Sequence, residues 1–400
     1  MIRIGLICLI QFVLLFSVSA QRGSKAGLSK QFIEYQFRSA GDQYRVLRTK
    51  TPDNFFPRSY VADLDRAVTS QSNWWCSGFY PGTLLLLFEY TRDDSLKQEA
   101  LRKLKLLETE QYNKGTHDLG FKMYCSFGNA LRIFKDSAAY KSILINAAKS
   151  LSTRYNANTK TIRSWDHGNW QFPVIIDNMM NLELLTWATR ITGDSSFYKI
   201  AVTHANTTMV NHYRPDNSSF HVVDYDTTTG KVLLKKTAQG ASDSSAWARG
   251  QAWGLYGFTM MYRETSIKAY LEQAKKIAAF MLNDPNLPKD KIPYWDYDAP
   301  GIPNALRDAS AASIMSSALL ELSQYVESKD KERYISVASS ILKTLGTQGY
   351  KAPPGKNGGY ILMHSVGHFP QGSEVDVPLT YADYYFIEAL WRYKKMFYKD

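Results

Sequence analysis

The sequence predicts an all-α fold, an (α/α)6 barrel of six helical hairpins, on three observations. First, five stretches repeat one pattern. Residues 85–107, 130–151, 184–209, 256–282 and 318–345 each read as an apolar segment of helical period, a short polar turn and a second helical segment. Second, residues 31–48 and 379–398 supply one helix near each end, enough for a sixth pair. Third, the last helix is aromatic and apolar, whereas an open solenoid wants polar capping repeats at its ends, so the ring is expected to close.

Taken in order, residues 1–20 read as a secretory signal peptide. Arg3 precedes the apolar run 4–16, and Val18-Ser19-Ala20 forms a small-residue cleavage site before Gln21. The run is too short to span a bilayer. Residues 21–400 are then expected to form a single barrel domain of an exported protein, periplasmic or secreted, with no stable membrane anchor. Cys76 and Cys125 remain in the mature chain, and sequence alone leaves their pairing open. The hairpin turns, such as T-R-D-D-S-L and T-G-D-S-S-F-Y, place an Asp or Ser where the second helix needs an N-cap. Ala100, Ala201, Ala274 and Ala338, three or four residues beyond a large leading side chain, let paired helices approach closely. With these turns short, the other connections are long: 54–80, 112–125, 155–173, 213–247, 284–308 and 348–377. They gather on one face, where long loops usually carry function.

The unusual motifs fall in those loops. Residues 163–189 begin as a polar, aromatic loop, turn at Pro173 and become an amphipathic helix. Asp177 sits at the junction, after Trp165 and Trp170, with Asp166, Asn178, Asn181 and Glu183 crowded around it. A helix cap would account for Asp177. A sugar site accounts for the whole stretch: aromatic faces for ring surfaces, amides and acids for hydroxyls. Trp74-Trp75 offers a stacking wall or a packed rim. His117-Asp118, flanked by glycines in G-T-H-D-L-G-F (115–121), is either a ligand contact or a capped turn. Trp247, Arg249, Gln251 and Trp253 alternate aromatic and polar groups, which suits a ring bearing a carboxylate; the other reading of Arg249 is a salt bridge to a structural acid.

A net charge of +11 favours an anionic partner. The basic residues are scattered and no nucleic-acid-binding motif occurs, so an acidic polysaccharide fragment fits better than nucleic acid. None of the seven His forms H-E-x-x-H and no C-x-x-C occurs, so a metal site is not indicated, and neither G-x-S-x-G nor a P-loop is present. What remains is carboxylate chemistry in an aromatic cleft. Asp118 and Asp177, on separate loops, are the natural pair, since neighbouring carboxylates push each other's pKa apart.

Together the motifs G-T-H-D-L-G-F (115–121), S-W-D (164–166), W-Q-F-P-V-I-I-D-N-M-M-N-L-E (170–183), W-A-R-G-Q-A-W-G (247–254) and S-E-V-D-V-P-L (373–379) resemble the unsaturated glucuronyl hydrolases, glycoside hydrolase family 88. The resemblance covers nearly the whole mature chain. It implies an (α/α)6 barrel that needs no cofactor. The implied substrate is an oligosaccharide of chondroitin, hyaluronan or heparin type, bearing the 4,5-unsaturated uronic acid that polysaccharide lyases leave at the non-reducing end. The implied chemistry is hydration of the ring's vinyl ether rather than attack at the anomeric carbon. Asp177 matches the family's acid/base and Asp118 its second essential Asp. His117, His221, Gln239, Trp247, Arg249 and Trp253 match substrate contacts, with the two Trp expected to stack on the unsaturated ring. One departure stands out: some relatives carry Ser-x-x-Ser-x-Lys in the last long loop, resembling a sulfate pocket, where this chain reads Ser365-Val366-Gly367-His368-Phe369-Pro370 and keeps only the first Ser. Two rival readings are a sibling hydrolase of unsaturated rhamnogalacturonan and a non-catalytic acidic-sugar-binding barrel.

Overall fold

A computed structural model describes residues 27–135 and 137–398; the leader read over residues 1–20 lies outside them. Among the described residues the helices are α1 (Lys30–Lys50), α2 (Phe79–Thr91), α3 (Asp94–Leu107), a π-helix (Gly120–Gly128) running into α4 (Asn129–Phe134), α5 (Ala138–Ser152), α6 (Leu182–Thr192), α7 (Ser195–Asn211), α8 (Ala248–Thr265), α9 (Lys268–Asn283), α10 (Ala309–Leu322), α11 (Ser328–Leu345) and α12 (Thr380–Phe397). They form the (α/α)6 barrel. Five hairpins follow in chain order from α2–α3 to α10–α11, and α12 completes the sixth pair with α1.

The inner ring is α2, the π-helix with α4, α6, α8, α10 and α12. It closes because α12 packs on both α10 and α2. Its members are apolar on nearly every side, as befits helices buried between an outer ring and the barrel axis: every residue of α10 is buried. The outer helices α3, α9 and α11 bury one stripe only. Ala100, Ala201, Ala274 and Ala338 are fully buried, where a larger side chain would hold the paired helices apart. Asp93, Ser137 and Asp194 cap α3, α5 and α7 by accepting a hydrogen bond from a backbone N–H of the first turn.

Two features depart from the sequence reading. The inner helix of the second hairpin begins at Gly120 as a π-helix, which shortens the loop expected over 112–125. Gly120 lets this segment pack directly on Asn181, because a Cβ there would lie 2.4 Å from Asn181 Cα. The long connections also carry small antiparallel sheets rather than irregular chain: β1 (Phe56–Val61) with β2 (Arg66–Ser70), β3 (Tyr155–Asn156) with β4 (Thr161–Ile162), the three-stranded β5 (Pro173–Ile175), β6 (Val222–Tyr225) and β7 (Val232–Lys236), and β8 (Ser365–His368) with β9 (Ser373–Val377). Pairing within each hairpin satisfies backbone groups that the barrel end would otherwise strand. Cys76 and Cys125 are both free thiols. Among the described residues no helix is long and apolar enough to cross a membrane.

Candidate active site

A cavity of about 280 Å³ opens at the N-terminal ends of the inner helices, among the loops. Asp177 lies in its floor, in the first turn of a 3₁₀ helix (Ile176–Asn181) that joins β5 to α6. It is not a helix cap: the N-cap is Ile175, and Asp177 Oδ2 is buried without a hydrogen-bond partner. Burial, helped by the Asp118 charge, raises the Asp177 pKa to about 7, although Arg249 and the Trp253 indole pull the other way.

The backbone bond from Ile176 N–H to His221 O (3.1 Å) holds the start of β6 beside Asp177. His221 Nδ1 accepts from the N–H groups of Ala238 (3.0 Å) and Gln239 (3.1 Å). Burial holds this imidazole neutral, with its pKa well below the ordinary value. Its proton must then sit on Nε2, which lies 3.8 Å from Asp177 Oδ2. On the facing wall, His117 Nδ1 donates to Ser164 O (2.7 Å) and its Nε2 lies 3.1 Å from Asp118 Oδ1. Burial lowers the His117 pKa and Nδ1 carries the ring proton, so Nε2 makes no hydrogen bond to Asp118 and the two are neighbours only. Asp118 Oδ2 accepts from the Thr116 hydroxyl (2.9 Å).

The cavity thus brings together Asp177, Asp118, His117, Gln239, Trp165 and Trp74. Among the described residues no cluster of His, Cys, Asp or Glu could hold a metal ion.

No protein-family model matches the chain. An unsaturated glucuronyl hydrolase of Formosa agariphila is 46% identical over 373 residues, covering 92% of both chains. The unsaturated chondroitin disaccharide hydrolase of Streptococcus pneumoniae is 34% identical over 82% of each. Among solved structures, an unsaturated glucuronyl hydrolase specific for heparin superposes with a TM-score of 0.89 at 48% identity, covering 92% of this chain and 98% of the other. The chain belongs to the unsaturated glucuronyl hydrolases.

Several other expectations are redrawn by the hydrolase's geometry. Trp247 and Trp253 do not form the cavity wall. Trp253 is fully buried, its ring 5.0 Å from Phe121 and 5.3 Å from Tyr385, because it lies on the core side of α8. Trp247 is sandwiched between His221 (4.5 Å between ring centroids) and the Arg249 guanidinium (4.5 Å). His221 likewise stands behind the cavity rather than lining it. Arg249 does line it, but most of its donors are committed elsewhere: Nη1 to Asp308 (3.1 Å) and Val366 O, Nη2 to Gly367 O (2.6 Å). Gln239 lines the cavity while donating to Gly367 O (2.8 Å).

The polar crowd around Asp177 is mostly scaffold. Asp166 pairs with Arg154 and Arg163, and Asn178 bridges Ile162 O and the Ser164 hydroxyl. Asn181 accepts from Phe121 N–H (2.9 Å) and so ties the Asp177 segment to the Asp118 segment. Glu183 points to the opposite end of the barrel, toward Arg263. Sequence reasoning missed Arg58, Glu374 and Tyr381, which also line the cavity, and committed to Trp74 alone of the adjacent pair although Trp75 lines it as well.

Proposed function

We propose that this hydrolase removes a 4,5-unsaturated uronic acid from chondroitin-, hyaluronan- or heparin-type oligosaccharides, with Asp177 as the acid and base and Asp118 as its partner. The observation that carries the reading is the buried carboxyl of Asp177, whose Oδ2 has no hydrogen-bond partner and which keeps its proton to about pH 7. Such a group is a competent general acid near neutrality. Its proton is transferred to C4 as the C4–C5 π pair forms the new C–H bond. The positive charge left at C5 is shared with the ring oxygen. Water then adds at C5 and gives its spare proton to the Asp177 carboxylate, which restores the acid. The hemiketal so formed opens and releases the neighbouring sugar.

His221, neutral and with Nε2 3.8 Å from Oδ2, is near enough to steady the carboxylate after transfer. Asp118 and His117 contact sugar hydroxyls and, through the Asp118 charge, help keep Asp177 protonated. Trp74 and Trp165 supply the apolar faces, with Gln239 as a further polar contact. The structures of relatives support this substrate class: one heparin-specific enzyme, and a Streptococcus agalactiae variant complexed with dGlcA-GalNAc6S, 30% identical with a TM-score of 0.79.

The test follows the ultraviolet absorbance of the conjugated double bond in unsaturated chondroitin, hyaluronan and heparin disaccharides. Wild type should abolish it and Asp177→Asn should not. Full activity in that variant would remove Asp177 from the chemistry. Export completes the proposal: residues 1–20 are a leader, residues 21–400 are the catalytic unit, and the periplasm or the exterior is the destination. N-terminal sequencing of the exported protein should begin at Gln21, and a retained leader would refute this part.

A further inference from the structure

The serine that this chain keeps of the Ser-x-x-Ser-x-Lys stretch does not reach the cavity. Ser365 lies in β8, fully buried, and its side chain does not line the cavity. A different cation stands at the cavity mouth. The Arg58 guanidinium lies flat over Trp74, 4.1 Å from the ring centroid, and Trp74 is among the more exposed large side chains of the molecule. Nη2 of Arg58 donates to Glu374 Oε1 (3.0 Å). Its Nε is buried and has no partner. A buried donor left unmade is costly, and the donor of a charged group more so. Only Nη2 of the fork is given to Glu374, so a cavity-lining guanidinium held in this way is placed to meet an acceptor that arrives with the ligand.

The backbone supports the same conclusion from both sides of the pair. The ladder between β1 and β2 runs Pro57↔Thr69 and then Ser59↔Val68, so Arg58 is the extra residue of a β-bulge. Bulges of this kind re-aim a side chain beside a site. Glu374 is held at φ 55°, in the left-handed region that a glutamate rarely adopts. Gly367 across the β8–β9 hairpin must lack a side chain, because a Cβ there would lie 2.7 Å from Glu374 Cβ. Two irregular backbone positions and one close approach thus converge on a single ion pair at the mouth.

We propose that Arg58 is a specificity-determining residue that reads a sulfo group on the sugar next to the unsaturated ring. Asp177 and Asp118 share the cavity floor, so the unsaturated ring belongs there and the next sugar meets the mouth. Its hexosamine carries no carboxylate, so its anion is a sulfate. A guanidinium fixed by an aromatic face and a carboxylate presents a planar donor set suited to sulfate oxygens. Glu374 aims the fork and, by its charge, admits only an anion able to compete for it. This inference rests on the hydration reading above.

The experiment compares pairs of unsaturated disaccharides that differ only in a sulfo group on the second sugar. For each pair the ratio of kcat/KM values, sulfated over unsulfated, is measured in wild type, Arg58→Ala, Arg58→Lys and Glu374→Gln. Wild type should favour the sulfated member. Arg58→Ala should lower the ratio at least tenfold, mainly through KM, and Arg58→Lys should keep part of it. Glu374→Gln should preserve or raise it. An unchanged ratio in both arginine variants, even with both activities reduced, would make Arg58 a structural latch and overturn the proposal. So would a wild type with no preference for sulfate. Arg58→Lys and Glu374→Gln keep the test decisive if Arg58→Ala fails to fold. Failure of the hydration reading would look different, as no turnover of any disaccharide by wild type.

Discussion

The two ends of the barrel bury carboxylates in opposite ways. At the loop end, Asp177 is 8% exposed and Glu321, at the other end, is 3% exposed, so solvent access does not separate them. Burial pushes both pKa values up. At Asp177 it prevails, because the guanidinium of Arg249 is shared with Asp308 and two carbonyls while Asp118 adds a like charge. At Glu321 it loses: Arg263 donates to one oxygen (2.7 Å) and Arg392 to the other, and the carboxyl ends below its ordinary value. Glu183, paired with Arg263 alone, stays raised by burial. Two arginines donating directly to its oxygens make a buried acid a structural anion, and one arginine committed elsewhere leaves it able to keep its proton.

The sharpest way to break this contrast is to remove the acid at the loop end. Asp177→Asn should lower kcat for disaccharide hydration by about 10²–10⁴-fold, the usual worth of a general acid, read as loss of absorbance change. At the other end, Glu321→Gln should leave two arginines facing a neutral group and cost about 3–5 kcal/mol of stability, measured by urea unfolding, with kcat per folded molecule largely kept. If that variant lost activity without losing stability, the division of labour between the ends would be wrong.

A smaller effect sharpens the comparison through pH. Folded Asp177 holds its proton to about 7, whereas the unfolded chain releases it near 3.8, so wild-type stability is highest below that window and falls as pH rises through it. Asn carries no such penalty. The melting-temperature advantage of Asp177→Asn over wild type should therefore grow from pH 4 to pH 7 and level off above, on a scale of about 1.4 kcal/mol for each pH unit crossed. For the same reason wild-type kcat/KM should fall as pH rises through about 7. Smallest of all, Asp118→Asn removes the like charge and should move that falling limb to lower pH in whatever activity remains; a limb that moved up would reverse the assigned electrostatics.

The barrel was legible because its evidence is periodic and local: apolar segments, polar turns, and caps such as Asp93 and Asp194 that do what their residue types predict. That Asp177, Asp118, His117, Trp165 and Gln239 would meet in one cavity was legible because polar and aromatic residues are concentrated in the loops of one barrel face. Trp247 and Trp253 misled because a tryptophan at the head of a helix reads alike whether it faces a ligand or the core; only the packing of Phe121 and Tyr385 decides. Arg58 and Glu374 were out of reach because a β-bulge and a left-handed φ, not residue type or spacing, aim them inward. Glu183 was read with Asp177 because the two are close in sequence; only two residues beyond Asn181, in the first turn of α6, it turns instead to Arg263.

The Arg58–Glu374 contact joins two hairpins, β1 with β2 and β8 with β9, which also meet where β1 lies against β9. Neither hairpin holds Asp177, which is anchored by β5 and by α6. The pair is therefore an entrance piece that meets the reacting end through the backbone of β8, which holds Arg249 and Gln239. Grafting both hairpins together between relatives should transfer the taste for the second sugar, whereas moving either one alone should strand a charge at the entrance and transfer nothing.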